Sequence, residues 1–197
     1  MPPVFAEDTT GEPPTLSVGL NFALIPSPKL LEAVMPEPIH FYSTKDDYGC
    51  FSNFSAHPVR LRGKVWPTTE HYFQAQKFAG HPDEEEVRQA ASPMIAARMG
   101  RSRKRPFRRD WESAKLEIMR EAVRAKFTQH PELTAVLLGT GDAVLVEHTT
   151  NDDYWGDGGD GSGQNWLGRI LMEVREKLRG GPDEPEASAT ERVTDRR

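Results

Sequence analysis

Three polar side chains recur along one predicted helix at a spacing that suits catalysis or ligand binding. Glu70, Gln74 and Lys77 lie four and three residues apart, so at about 100° per residue they share one face with Phe73. A carboxylate, an amide and an ammonium beside an aromatic ring could form the floor of a polar pocket. The alternative is the solvated face of an ordinary amphipathic helix, and spacing alone favours that alternative.

A polar, glycine-rich loop, residues 147–165, is the second candidate region. A loop of this kind between a buried strand and a helix is a common place for function, and its glycines let backbone N–H groups approach an anion. It matches neither the Walker A nor the EF-hand pattern. A flexible surface loop is the alternative, but Trp155 argues against it. His148 could act as a base, although a lone histidine is more often structural.

Two further regions have side chains that could hold a nucleotide-like ligand. In the loop 48–54, Phe51 and Phe54 flank a Ser-Asn pair, which suits stacking and hydrogen bonding to a ring, or else the phenylalanines fill the core. A basic run occupies residues 98–109, where arginines favour bidentate phosphate contacts. The alternative is a solvated loop balanced by the acidic residues 83–86. Trp111, beside this run, is either a core residue or a stacking platform.

These regions are expected to be positioned by one α+β domain, mostly helical, with a small β-sheet. The sheet is predicted from strands at 39–42 and 143–147 and a hairpin at 59–66 with a Gly63-Lys64 turn. In the helix that begins near Glu70, Tyr72, Ala75 and Ala79 should face the core. The predicted N-caps of the other helices are Asp83, Ser92, Asp110 and Asn165, and one further helix runs from Pro131 to Gly139.

Length and composition limit the classes of protein to consider. The 197 residues suit one domain at 37–179, with a disordered or loosely docked arm at 1–36 and a disordered tail at 180–197. The net charge of -5 argues against general nucleic-acid coating. The single cysteine, Cys50, excludes an intrachain disulfide and suits the cytoplasm. No apolar run is long enough for a membrane, and no oligomeric state is indicated.

Several long motifs, in this order, carry a resemblance to a known family. They are HFYSTKDDYGCFSNF, WPTTEHYFQAQKF, SPMIAARMGR, the Trp-Glu of RRDWESAK, LVEHTTNDDYWGDGGDGSGQNWLG and the helix ILMEVREKL. Together they resemble the NADAR family, also called YbiA-like, from about residue 39 to residue 178. The resemblance places the glutamate of the family at Glu70, its helix tryptophan at Trp111 and its acidic loop at residues 153–157.

The resemblance implies an N-glycosidase that acts on ribosylated nitrogen heterocycles. Family members are associated with phosphorylated ribosylamino-pyrimidine intermediates of riboflavin synthesis and with ADP-ribosyl groups on guanine. The expected substrate is therefore a small phosphorylated N-riboside, and ADP-ribosylated nucleic acid is the alternative. A module that binds ADP-ribose or a nucleotide without cleaving it is a second alternative.

A mechanism for such cleavage assigns roles to particular side chains. The sugar passes through an oxocarbenium-like state. Glu70 would stabilise this cation or activate the water that attacks it, and Asp153 or Asp157 would be the second carboxylate, which assists the leaving base or orients the water. No metal or other cofactor is expected, because the sequence offers no His/Cys cluster for one. The expected substrate contacts are Phe51, Asn53, Phe54, Gln74, Lys77, Arg98, Arg101, Trp111, Asn151, Tyr154, Trp155, Gly156, Gly158 and Asn165.

Overall fold

The computed structural model describes residues 36–181, which form a mostly helical α+β domain, as predicted. The predicted arm and tail lie outside the described residues, apart from Pro36 and the pair at 180–181. Within the described range, no helix is both long and apolar enough to cross a membrane. The strands are β1 (Ile39–Phe41), β2 (Val59–Leu61), β3 (Lys64–Trp66) and β4 (Leu145–Glu147). The helices are α1 (Thr69–Ala75), α2 (Pro82–Arg88), α3 (Pro93–Arg101), α4 (Trp111–Gln129), α5 (Pro131–Gly139) and α6 (Trp166–Arg179).

The four strands form two separate pairs rather than the one sheet expected. β1 and β4 are parallel, with His40 beside Val146, and β2 and β3 are an antiparallel hairpin. The outer edge of β2 is occupied by a side chain: the Gln129 amide accepts from Arg60 N at 2.7 Å and donates to Arg60 O at 2.9 Å. Because this amide pairs with the backbone N–H and C=O groups of Arg60, the edge of β2 does not need another strand at that position.

The hairpin turn consists of Arg62 and Gly63, so the prediction of Gly63-Lys64 is wrong by one residue. Both turn residues have positive φ, 51° and 74°, as a two-residue turn that matches the strand twist requires. Lys64 is instead the first residue of β3 and pairs with Leu61. The turn delivers the chain through Trp66, which is fully buried, to the start of α1.

The helix N-caps were predicted with mixed success. Thr68 caps α1 and Ser92 caps α3, each accepting from a backbone N–H of the first turn. Asp83 is not the cap of α2, since His81 takes that position. Asp110 precedes α4 as predicted, but its carboxylate binds Arg108 instead of the helix N–H groups.

The largest difference from the sequence interpretation concerns α1, which is buried on every face. Tyr72 and Ala75 face the core as predicted, whereas Ala79 is exposed. The interpretation of a solvated polar face is wrong: the exposed fractions of Glu70 and Lys77 are 7% and 8%. The reason is that α2, α3 and α4 all pack against this short helix.

A buried lysine supports the loop that precedes α1. Lys126, on α4, is 1% exposed and donates from Nζ to Ser52 O at 2.9 Å and to Ser55 Oγ at 2.5 Å. Removal from water lowers the pKa of Lys126 to about 7. The Lys126 ammonium therefore joins α4 to the loop 48–55. The free-energy cost of keeping this group charged in the interior depends on pH.

This cost predicts a pH-dependent stability. The unfolded amine has a pKa near 10.5, so between about pH 7 and pH 10 the unfolded state binds more protons than the folded state, and the free energy of unfolding rises with pH. Lys126→Met lacks the amine and therefore lacks its pH-dependent contribution to the free energy of unfolding. We expect urea unfolding at pH 6.5 to 9.5 to give a flatter profile for Lys126→Met than for wild type. The exposed control Lys104→Met should keep the wild-type slope, and coincident profiles for wild type and Lys126→Met would contradict the assignment.

Candidate active site

The backbone of the loop 48–55 fixes the position of Glu70. Glu70 N donates to Asn53 O at 3.1 Å, and Thr69 Oγ1 donates to Asn53 Oδ1 at 3.0 Å. The amide of Asn53 also contacts Met119 Sδ through Nδ2 at 3.3 Å. Both polar side-chain atoms of Asn53 therefore have partners within the protein, and Asn53 holds the start of α1.

Glu70 is a buried carboxylate with one neutral hydrogen-bond donor. Gln74 Nε2 donates to Glu70 Oε1 at 2.8 Å. Burial raises the pKa of Glu70 and outweighs the opposing effects of Gln74, Lys77 and Arg101, while the charge of Asp152 adds to the increase. A carboxylate of this kind is held in one orientation and is poorly solvated, as a group that must face a cationic transition state requires.

Lys77 lies beside this carboxylate, among aromatic rings. Its Nζ donates to Gly100 O at 3.0 Å and lies 5.7 Å from the ring centre of Phe73 and 5.2 Å from that of Trp111. Burial lowers the pKa of Lys77 to about 8, although Glu70 favours the charged form. The structure thus brings Glu70, Gln74 and Lys77 together as the polar residues of one site.

Aromatic side chains from three elements meet at this site. Phe73 contacts Trp111 at 5.0 Å between ring centres and Trp155 at 5.2 Å, and Tyr154 contacts Trp155 at 5.1 Å. Lys115 lies 3.9 Å from the centre of the Tyr154 ring. The glycine-rich loop is therefore packed against α1 and α4 through its aromatic residues, and it carries π-faces to the neighbourhood of Glu70.

Glu147, at the end of β4, is a second carboxylate that the sequence interpretation did not select. Burial raises the pKa of Glu147 to about 8, and Asp152, Glu70 and Asp157 raise it further in that order. The charge of Glu70 thus contributes to the raised pKa of Glu147. The sequence did contain a signal for this residue, because Glu147 is the last residue of the best predicted buried strand and immediately precedes the acidic loop.

The two predicted partner aspartates lie in different surroundings. Asp157 is buried and its carboxylate accepts from Thr149 N at 3.1 Å, from Gly159 N at 2.9 Å and from His148 Nδ1 at 2.8 Å. Although burial opposes it, these bonds lower the pKa of Asp157, which organises the loop. Asp153 is exposed. Asp152, which was not predicted, is the loop aspartate that acts on Glu70, and its Oδ1 accepts from Tyr154 N and Trp155 N.

Two of the expected ligand contacts, Phe51 and Asn165, make structural contacts within the protein. Phe51 is 1% exposed and packs against Phe41 and Phe127, so it fills the core. Asn165 occupies the N-cap position of α6 as predicted, with a φ of 51°, but its side chain makes no cap hydrogen bond; its amide accepts from Glu147 N and donates to Leu145 O. These bonds hold β4 against the loop.

The other predicted residues lie around the loop and on α3. Asn151 donates from Nδ2 to Tyr42 Oη at 3.4 Å, and Gly158 has a φ of 74°. A Cβ at Gly156 would lie 2.8 Å from Glu147 O, so this glycine allows the loop to pack on β4. The remaining ones are Phe54, which is half-buried, and Arg98 and Arg101, which are exposed on α3.

Comparison with known proteins assigns the family. The model of the NADAR domain matches residues 40–179. The chain belongs to the NADAR family. It is 63% identical over 140 residues to "N-glycosidase YbiA" of Escherichia coli (strain K12), which covers 71% of this chain and 88% of that protein. It is 48% identical over 144 residues to "N-glycosidase Npun_R5314" of Nostoc punctiforme, covering 72% of this chain and 92% of that protein.

A solved structure and a longer relative extend this NADAR assignment. The NMR structure of E. coli YbiA superimposes with a TM-score of 0.70 at 57% identity and covers 79% of this chain and 93% of that chain. "Riboflavin biosynthesis protein PYRR, chloroplastic" of Zea mays is 41% identical over 179 residues, which are 80% of this chain and 29% of that protein. The predicted family is confirmed, and the predicted activity class, hydrolysis of N-glycosyl bonds, is the one that the N-glycosidase names carry.

A glycine substitution tests the packing beneath Glu70. A Cβ at Gly100 would lie 2.7 Å from Gln74 Cδ and 2.9 Å from Gln74 Cβ, whereas a Cβ at Gly139 would have nothing within 4 Å. We expect Gly100→Ala to move the Gln74 amide away from Glu70 and to lower the free energy of unfolding by about 1–3 kcal/mol.

The matched control is Gly139→Ala, at the end of α5. It should raise the free energy of unfolding by up to about 1 kcal/mol, because alanine is the better helix former. Denaturant unfolding of both variants at one pH measures the difference. If the two substitutions change the free energy of unfolding equally, the position of Gln74 does not depend on the space that Gly100 leaves.

Proposed function

We propose that this NADAR protein hydrolyses the N-glycosidic bond of phosphorylated ribosylamino-pyrimidines, the intermediates of riboflavin biosynthesis. The observation that carries the proposal is that two carboxyl groups have raised pKa values, the buried Glu70 and the partly buried Glu147, and that Glu70 acts electrostatically on Glu147 near the rings of Phe73, Trp111 and Trp155. Relatives named riboflavin biosynthesis proteins support the substrate class, although the chain spans 29% of the maize protein and 40% of the Vibrio vulnificus protein VVA0006. The single cysteine suits a reducing cytoplasmic location.

Glu70 has the position and surroundings for the central role. Cleavage of an N-riboside builds positive charge on the anomeric carbon and ring oxygen of the ribose, and a nearby carboxylate stabilises that charge or activates the attacking water. Glu70 is fixed by Gln74 and by its own backbone bond to Asn53. Since the group is held before substrate arrives, little reorganisation is required in the transition state.

Glu147 supplies the proton that the leaving nitrogen needs. With a pKa of about 8, its carboxyl group is protonated at neutral pH. Where the surroundings of two carboxyl groups in one site separate their pKa values, one can stabilise the cation while the other acts as the acid. In this proposal Glu147 takes the role that the sequence interpretation gave to Asp153 or Asp157, and Asp157 keeps the loop in shape.

The remaining side chains bind the two ends of the substrate. Trp155, which is partly exposed, stacks on the pyrimidine ring, and the buried Trp111 supports it through their shared contact with Phe73. Lys77 and Arg101 both act electrostatically on Glu70, so in this proposal they hold the phosphate of a sugar bound beside it. Arg98, exposed on the same helix as Arg101, extends this positive region.

The basic run favours ADP-ribosyl-guanine in nucleic acid as a second candidate substrate. Within the described residues, Arg105 is paired with Asp83 and Glu86, and Arg108 with Asp110. The other members of the run are exposed: Arg98, Arg101, Arg103, Lys104 and Arg109. Exposed cations beside the site would attract a phosphate backbone.

The central prediction is that Glu70→Gln binds substrate and fails to turn it over. The amide keeps the size and hydrogen-bonding capacity of the side chain but removes its charge, so kcat should fall by about 100-fold or more while KM changes little. Release of free base from a ribosylaminopyrimidine phosphate and from an ADP-ribosylated guanine oligonucleotide is the measurement. Glu117→Gln, whose side chain is 80% exposed on α4, is the control.

The two substrates separate the candidate functions. Release from the pyrimidine alone, lost in Glu70→Gln and kept in Glu117→Gln, supports the proposal. Release from the oligonucleotide alone moves the substrate to ADP-ribosylated nucleic acid. Tight nucleotide binding without release of base from either substrate identifies a binding module, and full activity in Glu70→Gln removes Glu70 from the mechanism.

The role of Glu147 predicts an alkaline limb in the pH profile. Because the protonated carboxyl is the active form, kcat should fall about tenfold per pH unit above about pH 8. Lys77 also has a pKa of about 8, so Lys77→Arg, which stays charged, is the control that should keep the limb. Glu147→Gln should be slow and show no limb. If the alkaline limb disappears in Lys77→Arg and persists in Glu147→Gln, the group that titrates near pH 8 is Lys77 and not Glu147.

A further inference from the structure

The fold brings together three metal-binding side chains that lie far apart in the sequence. His40, His148 and Asp157 each offer one ligand atom, and these atoms lie within 4.8 Å of one another. The two histidine rings meet edge to face, with their centres 5.2 Å apart. The sequence interpretation found no His/Cys cluster because residues 40 and 148 become neighbours only when β1 pairs with β4.

Strand register explains why both imidazoles are on one side of this pair. His40 on β1 lies beside Val146 on β4, and His148 follows Val146 by two residues. Side chains two residues apart on an extended chain point to the same side, and the residue between them points to the other. The histidines therefore lie on the face opposite to Glu147, which belongs to the candidate active site.

The third ligand is held rigidly by the loop. Asp157 Oδ1 accepts from Thr149 N and Gly159 N, while Oδ2 lies 2.8 Å from His148 Nδ1. The Asp157 carboxylate is buried, whereas both histidine side chains are exposed and can turn. One oxygen stays bonded to the backbone when the other exchanges its contact with His148 for an ion.

We propose that His40, His148 and Asp157 form a binding site for a first-row transition-metal ion, with Zn²⁺ as the probe and water completing the coordination. Two imidazoles and one carboxylate are ligands that Zn²⁺, Co²⁺ and Ni²⁺ accept. Metal–ligand bonds of about 2.0–2.2 Å require the three ligand atoms to approach one another more closely than 4.8 Å, and rotation of the exposed imidazoles supplies that movement. The site does not depend on the proposed function.

An ion at this position would join β1 to the glycine-rich loop. That loop carries Asp152 and Trp155 to the neighbourhood of Glu70. Binding to the folded state alone stabilises it by mass action, so thermal unfolding of the full chain should shift upward with added metal.

The test compares two histidine variants of the full chain. Calorimetric titration with Zn²⁺ should show one saturable site in wild type, with affinity at least tenfold weaker in His40→Ala. Co²⁺ should give visible absorption bands in wild type that His40→Ala lacks. The matched control is His57→Ala: His57 also meets a histidine, His130, edge to face at 5.4 Å, but within residues 36–181 this pair is not part of any three-ligand group.

Each outcome decides the proposal. Loss of affinity, of the Co²⁺ bands and of the metal-dependent rise in Tm in His40→Ala, with all three kept in His57→Ala, supports the site. Equal Zn²⁺ affinity in wild type and His40→Ala, an equal loss in both variants, or no saturable binding to wild type overturns it. The His40 side chain is exposed and makes no hydrogen bond of its own within residues 36–181, so His40→Ala should remain folded.

Discussion

The burial of two ionisable side chains, one on α1 and one directly after it, governs how the other elements are arranged. Glu70 on α1 and Lys77 in the 3-10 turn Gln76–Phe78 are removed from water, which is energetically unfavourable unless their polar atoms find partners. Gln74 provides one partner for Glu70, and Gly100 O provides one for Lys77. Because α2, α3 and α4 cover these side chains, their charged forms are costly to bury. The same burial raises the pKa of Glu70, the proposed catalytic carboxylate.

The loop before α1 and the loop after β4 are organised by the same kind of interaction. In each, one buried ionisable side chain satisfies backbone groups that would otherwise lose their hydrogen bonds: Lys126 donates to Ser52 O, and Asp157 accepts from two loop N–H groups. One loop supplies Asn53 to the start of α1, and the other supplies Trp155 to the aromatic wall. The position of Glu70 therefore depends on two buried ionisable groups, Lys126 and Asp157, that lie outside α1.

The parallel pairing of β1 and β4 separates two chemical surfaces. Alternation along β4 sends Glu147 to the side of Glu70, and it sends His148 to the side of His40. Asp157 connects the two sides, because its backbone N donates to Glu147 O while its carboxylate faces His148. A two-stranded element of three residues per strand is enough to hold a proposed proton donor and a proposed metal site apart.

The sequence by itself determined the α+β class, most helix positions, the buried ring of Tyr72, the capping by Ser92 and the family. These features follow from local periodicity, turn chemistry and long ordered motifs, which neighbouring residues encode. The packing of distant segments alone reveals that Glu70 and Lys77 are buried, that Phe51 fills the core, that Asp152 acts on Glu70, and that Glu70 acts on Glu147. Burial and electrostatic coupling depend on which distant segments cover a residue, and no spacing along the chain contains that information.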